Sequence, residues 1–344
     1  MKVSVLDLLP LREGESLDQA YQEMVDLARF VETLGYERFW IGEHHNTKGF
    51  ASTATLQLMQ YVLSQTKHIR VGSGGVMLPN HSPLVIAEQL GTLSHLYPNR
   101  VDAGLGRAPG TDPKTARALR RQEEHPTLEE EVRELADYFR VDSEVAAYPA
   151  QDQKVPFFIL GASKASARLA AKLGRPYVFA AHFAPKDLED AIAIYRAEFQ
   201  PSIHLTEPYV MVALNMALAD QAESAEALAS SQLQMFADIV TNRQGYLKEP
   251  MENLEQVWDS LTHANGTPHF GPLQFESESL VRQTRRAVEN MFSMSLMGDA
   301  DAARAFLEDL AARVAPDEIL VTDYIYDVEA KKRAYEILAE VVGL

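Results

Sequence analysis

The 344-residue chain contains no cysteine, which removes disulfides, thiolate metal ligands and cysteine nucleophiles from consideration. It also lacks any apolar run near the 18 residues needed to span a bilayer, and the short apolar stretch in "MKVSVLDLLPLREGES" falls short of a secretory signal. A cytoplasmic location is the resulting expectation. Basic residues are in the minority, 32 Lys and Arg against 49 Asp and Glu, for a formal charge of −17. A surface of that sign repels nucleic acid and anionic lipid, although it leaves room for a local anion site. Neither a G-x-S-x-G elbow nor an H-E-x-x-H pair occurs, so the commonest serine-hydrolase and zinc-protease signatures are missing.

What the sequence does have is rhythm. Buried-strand patterns begin at residues 3, 38, 69 and 100, with amphipathic helices at 16–35, 54–66 and 83–96 between them. A repeat of just over thirty residues is the spacing of successive βα units on a parallel sheet. The first helix has Ser16 or Asp18 as its cap and Gly35 as its stop, and the third has Ser82 as cap with Pro83 in its first turn. Further strand candidates follow at 156–163, 177–183, 209–218 and 318–326, and nearly all eight lead into helices. Eight units favour a single (β/α)8 TIM barrel covering 1–344 over an open doubly wound sheet. The stretch 219–317 reads as a mostly helical insertion before the last strand, a lid or subunit contact. "MFSMSLMG" at 291–298 reads as core.

In such a barrel, chemistry sits at the carboxyl ends of the strands. Those ends here carry "GEHHN" (42–46), "GGVMLPNHSP" (74–83), "GLGRAPGTD" (104–112), "LGASKAS" (160–166) and "AAHFAP" (180–185). In "LGASKAS", Gly161 permits close approach and Ser163 stands at the head of a helix, whose N–H groups and dipole suit a phosphate or, more simply, an ordinary cap. Arg107 suits either an ion pair or bidentate phosphate binding. His44 and His45 fall on opposite faces of an extended strand and cannot chelate one ion together with His81 and His182, so no metal site is expected. One barrel-facing histidine is instead suited to hydrogen bonding or general-base work. The glycines of "GSGGVMLPNHSP" (72–83) are unusual inside a strand, marking a bulge or a close backbone approach. "GLGRAPG" misses the dinucleotide fingerprint, since its glycines lie at 104, 106 and 110 and Pro109 interrupts the helix.

"FWIGEHHN", "IRVGSGGVMLPNHSPLVIAEQLGTLSHLYPNRVDAGLGRAPGTD" and "VPFFILGASKASARLAAKLGRPYVFAAHFAP" resemble the bacterial luciferase-like flavin monooxygenases, in the subgroup labelled luciferase-like monooxygenase. The resemblance spans nearly the whole chain and is weakest at 115–150 and 220–290. It implies a barrel that binds FMN, reduced by a separate flavin reductase, and uses O2 to oxygenate a small apolar organic substrate. It also implies that Gly74–Gly75 is a cis peptide beneath the flavin, that Arg107 with Gly161, Ala162, Ser163 and Ser166 holds the phosphate, and that His44 is catalytic. The family's reactive thiol near the flavin has no counterpart here, and its lid sequence is not recognisable in 219–317. Met77, Phe179 and Phe183 are candidates for a dry substrate pocket, and a homodimer through barrel helices is the family expectation. A deazaflavin-dependent oxidoreductase and a non-catalytic flavin-binding protein are the alternative readings.

Overall fold

A computed structural model describes residues 1–108, 110–119, 126–240, 245–260, 269–270, 273–274 and 278–344. Its strands are β1 (Lys2–Asp7), β2 (Arg38–Ile41), β3 (Arg70–Met77), β4 (Val101–Gly106), β5 (Phe157–Gly161), β6 (Tyr177–Phe179), β7 (Val210–Leu218), β8 (His269–Phe270), β9 (Leu273–Gln274), β10 (Ser295–Gly298) and β11 (Glu318–Asp323). The helices are α1 (Leu17–Thr33), α2 (Thr55–Gln65), α3 (Pro83–Leu96), α4 (Pro113–Ala118), α5 (Leu128–Asp137), α6 (Lys164–Leu173), α7 (Leu188–Glu198), α8 (Ala222–Val240), α9 (Leu254–Ser260), α10 (Glu278–Phe292), α11 (Ala300–Val314) and α12 (Val328–Val342).

Strands β1 to β7 pair in chain order, all parallel; β7 pairs with β11, and β11 returns to β1. That last pairing closes an eight-stranded TIM barrel and excludes the open sheet. Helix starts follow local chemistry. Ser16 caps α1 in a box with Gln19, and Thr127 caps α5 in a box with Glu130. Gly35 ends the first unit with φ of 87°, a conformation glycine adopts without cost. Ser82 precedes α3 but its hydroxyl makes no cap bond, so Pro83 alone marks that start.

Strand alternation sorts the side chains into two layers. Leu6, Trp40, Phe158, Met211 and Leu320 fill the barrel interior. Val5, Phe39, Ile159, Phe179 and Ile319 face outward into the layer shared with the helices. The amino-terminal end of the interior is polar. Arg38 is buried between Asp102 (2.7 Å) and Glu318 (3.0 Å). Arg70 also reaches Asp102, and the hydroxyls of Ser4 and Tyr209 donate to Glu318.

The glycines of β3 each have a neighbour that leaves no room for a side chain. A Cβ on Gly72 would lie 2.6 Å from Trp40 Nε1, and one on Gly75 would lie 2.8 Å from the Gly104 carbonyl oxygen. A Cβ on Gly74 would collide with Leu6. The approach is therefore to barrel neighbours on β1, β2 and β4. The Gly74–Gly75 peptide is cis, and the pairing with β4 slips between Gly74 and Val76, so bulge and cis bond occupy one place.

Between β7 and β11 the chain forms α8, α9, the β8–β9 hairpin, α10, β10 and α11. The stretch read as core at 291–298 is partly a strand: β10 pairs with the carboxyl half of β7, on the side where β6 pairs with its amino half. Leu233 and Phe236 of α8, with Val257 and Trp258 of α9, join the cluster of the barrel interior, so this segment packs across the carboxyl end.

Candidate active site

The carboxyl end of β2 delivers three consecutive ionisable residues to two different places. His44 turns toward the barrel mouth. Its backbone N–H bonds to the Ser52 carbonyl at 2.7 Å, and its Nδ1 lies 3.2 Å from Ser52 Oγ. The Ser52 hydroxyl already donates to the Leu8 carbonyl at 2.8 Å, so it accepts from His44. The proton is therefore on Nδ1, and Nε2 is left as a lone-pair acceptor with no partner among the described residues. The ring stacks on Phe50, centroids 4.7 Å apart at 24°. Phe50 meets Tyr324 edge-on at 6.4 Å, and Tyr324 meets Phe236 of α8 at 5.6 Å. Burial in this setting pulls the His44 pKa down to about 4 against the partial support of Glu43. The imidazole is neutral at pH 7.

Glu43 and His45 occupy the other side. Glu43 accepts from His45 Nε2 at 2.9 Å and from His81 Nε2 at 2.9 Å. It also accepts from the backbone N–H of Met77 at 3.0 Å. Burial alone would raise its pKa, but these donors outweigh that and bring it to about 2. The donor atoms of Glu43, His45 and His81 lie within 4.8 Å of one another, close enough for a metal ion. Their hydrogen bonds clamp the ends of β2 and β3 together. His45 further holds the loop after β4, its N–H bonding to the Gly110 carbonyl and its own carbonyl accepting from Thr111 Oγ1.

At the β5–α6 turn, Ser163 and Ser166 form a reciprocal cap. Ser166 Oγ accepts from the Ser163 N–H, donates to the Ser163 carbonyl at 2.7 Å and lies 3.0 Å from Tyr177 Oη. A Cβ on Gly161 would collide with the Ser166 side chain, so this glycine answers first to the cap. The N–H groups of Ser163 and Ser166 are thus engaged within the turn. Those of Lys164 and Ala165, at the head of α6, have no acceptor among the described residues and carry the positive end of the helix dipole.

Of the other expected residues, Arg107 is exposed just past the end of β4, Ala162 is half-buried beside Ser163, and Met77 is half-buried at the end of β3. Phe179 is not a pocket residue. It is fully buried in the outer layer, because alternation along β6 makes Val178 and, just beyond, Ala180 the inward positions. Phe183 is 56% exposed in the turn after β6.

His182, in the same turn, sits near His44. Burial lowers its pKa to about 4, and the neighbouring His44 pushes in the same direction. Phe50, Tyr324, Phe236, Asn215 and Thr322 complete the mouth without belonging to any local motif. Parity on β7 and β11 could have marked Asn215 and Thr322, and its place just after β11 could have marked Tyr324; Phe50 in the loop after β2 and Phe236 on α8 carry no such signal.

The luciferase-like monooxygenase family matches residues 1–315. A luciferase-like monooxygenase of Escherichia coli strain K12 is 41% identical, with 98% of this chain and 96% of the relative aligned. An N-acetyl-S-alkylcysteine monooxygenase of Bacillus subtilis strain 168 is 31% identical over 87% of this chain and 98% of its own. The solved structure of apo-MsnO8 superposes with a TM-score of 0.85 at 29% identity, covering 100% of this chain and 98% of that one. The oxygenating constituent of 3,6-diketocamphane monooxygenase from Pseudomonas putida, solved with FMN, shares the fold at a TM-score of 0.71 and 16% identity, with 99% and 97% covered. With the closed barrel and the site at its carboxyl end, these likenesses make the chain a member of the luciferase-like monooxygenase family, an oxidoreductase of the monooxygenase type.

Proposed function

We propose that the protein is an FMN-dependent monooxygenase that receives reduced FMN from a separate reductase and oxygenates a small, mainly apolar organic substrate. The residues fit that cofactor. The free N–H groups at the head of α6 suit a phosphate, and we assign Arg107, Gly161, Ala162, Ser163 and Ser166 to its surroundings. The cis Gly74–Gly75 peptide and the aromatic mouth offer a flat, largely apolar setting for the ring. Bound reduced FMN would supply the activation of O2.

The observation that carries the reading is His44. Ser52 fixes its tautomer, burial keeps it neutral, and its Nε2 lone pair remains available for a proton. Such a group can take a proton from substrate or cofactor, or accept a hydrogen bond that orients one. Phe50, Tyr324 and Phe236 exclude water around it, and α8 with α9 serves as the lid. The Bacillus subtilis relative named for N-acetyl-S-alkylcysteines supports starting a substrate panel with thioethers.

The test is titration of the purified protein with FMN, riboflavin and a deazaflavin, followed by O2 uptake with reduced FMN and the panel. Tight FMN binding and substrate-dependent O2 uptake support the proposal. Preference for the deazaflavin, or flavin binding with no substrate-dependent uptake, overturns it.

A further inference from the structure

Four polar atoms at the carboxyl end of the barrel are buried and have no hydrogen-bond partner among the described residues: His182 Nδ1, Asn215 Oδ1, Gln232 Oε1 and Thr322 Oγ1. They come from the β6–α7 turn, β7, α8 and β11, yet the fold gathers them. Asn215 is in register with Thr322 on one side and with Ser295 on the other, so these three form one row across β11, β7 and β10. Gln232 reaches that row from above, its Nε2 donating to Ser295 Oγ at 3.0 Å. Asn215 Nδ2 donates to the His182 carbonyl at 2.8 Å, which ties the turn to the row.

Buried polar atoms without partners are uncommon in native proteins, and four in one neighbourhood ask for an external partner. Their chemistry narrows it. Both amides have spent an N–H internally and present carbonyl oxygens, which only accept. The threonine hydroxyl can accept as well. His182 is neutral, being held near pKa 4. Neither a carboxylate nor a cationic side chain is among the four, so a charged ligand group would be buried without a counter-ion. Resting on the monooxygenase reading above, we propose that Asn215, Gln232, Thr322 and His182 form the specificity-determining end of the substrate site, taking a neutral hydrogen-bond donor, an amide N–H or a hydroxyl, attached to an apolar body.

A site built to hydrogen-bond a donor discriminates strongly against an analogue lacking it. The test is calorimetric titration, with and without FMN, of two matched pairs: N-hexylacetamide against N-hexyl-N-methylacetamide, and 1-heptanol against its methyl ether. The wild-type protein should prefer at least one donor-bearing member by about tenfold or more, and the pair showing it distinguishes amide from hydroxyl. In the double variant Thr322→Val/Gln232→Leu, that preference should fall below about threefold.

Thr322→Val alone exchanges an unpartnered buried hydroxyl for a methyl of similar shape. It should raise the melting temperature of the flavin-free protein by about 1–3 °C while weakening discrimination. Equal binding of both members of each pair by the wild type, or discrimination unchanged in the variants, overturns the proposal. Because these titrations run without flavin as well, their failure is separable from a failure of FMN binding or O2 uptake.

Discussion

His44 and Phe50 lie ring against ring, centroids 4.7 Å apart with 24° between their planes. The stacking covers one face of the imidazole with hydrocarbon, and the Ser52 hydroxyl fixes its tautomer at Nδ1. Phe50 and Ser52 belong to the same loop after β2, so one short segment sets both the charge state and the orientation of the histidine. His44→Ala should therefore lower substrate-dependent O2 uptake by about 10²–10⁴-fold, the usual range for a positioned acid or base, while FMN affinity changes little. Oxygen-electrode rates beside FMN fluorescence titrations check this. Loss of both together would mean that His44 acts in flavin binding.

The lowered pKa of His44, about 4, sets a direction for pH dependence. The neutral, proton-accepting form persists down to that value and is lost as pH falls through it. The acid limb attributable to His44 should therefore lie near pH 4, well below the ordinary imidazole range. Ser52→Ala removes the acceptor that holds the proton on Nδ1, so turnover should fall with FMN affinity retained. A pH–rate profile of the wild type and the variant reads both effects.

Much of this architecture is legible in the sequence. The eight strands and the cap at Ser16 follow from patterns confined to a few neighbouring residues, where side-chain period and capping act. The opposite facing of His44 and His45 was legible for the same reason. Phe179 was misplaced because β6 is three residues long, too short for alternation to show which face is inward. Strand β10, four residues inside a Met-rich run, has no pattern distinct from a buried helix end. The mouth itself draws on Phe50, Asn215, Phe236, Thr322 and Tyr324, which only barrel closure brings together. The crowding that keeps side chains off the β3 glycines comes from Leu6, Trp40, Asp102 and the Gly104 carbonyl on other strands, contacts that no local stretch records.

The phosphate assignment predicts a selective loss. Arg107→Ala should weaken FMN by about 1.5–3 kcal/mol, the contribution of a hydrogen bond to a charged group. Riboflavin, which has no phosphate, should bind the variant and the wild type alike. Parallel fluorescence titrations with the two flavins decide it, and an equal loss for both would remove Arg107 from the phosphate site.

Outside the barrel, Asp7 at the end of β1 is buried near Lys331 and Asp323, with its Oδ1 accepting from the Leu9 N–H at 2.8 Å. Burial raises its pKa from 3.8 to about 6, against the attraction of Lys331. The folded protein therefore holds this proton more tightly than the unfolded chain. Stability from this group is fully present below pH 4 and is lost as pH rises toward 6, by about 3 kcal/mol. Asp7→Asn cannot ionise and can keep the bond from Leu9. It should raise the melting temperature at pH 7.5 and leave it nearly unchanged at pH 4, which thermal melts across that range will show.

At the opposite end of the barrel, Arg38 holds two buried carboxylates, Asp102 and Glu318, in one cluster. Arg38→Met keeps much of the side-chain volume but removes the charge. Asp102 retains Arg70, whereas Glu318 is left with the hydroxyls of Ser4 and Tyr209. An unpaired buried carboxylate is costly, so the variant should lose about 3–5 kcal/mol of stability near neutral pH. The pH dependence identifies the cause. Without the guanidinium, Glu318 should take up a proton on folding, so the deficit should shrink as pH is lowered toward 5. A packing defect alone would give the same deficit at every pH. Urea unfolding of wild type and variant at pH 5 and pH 8 separates the two.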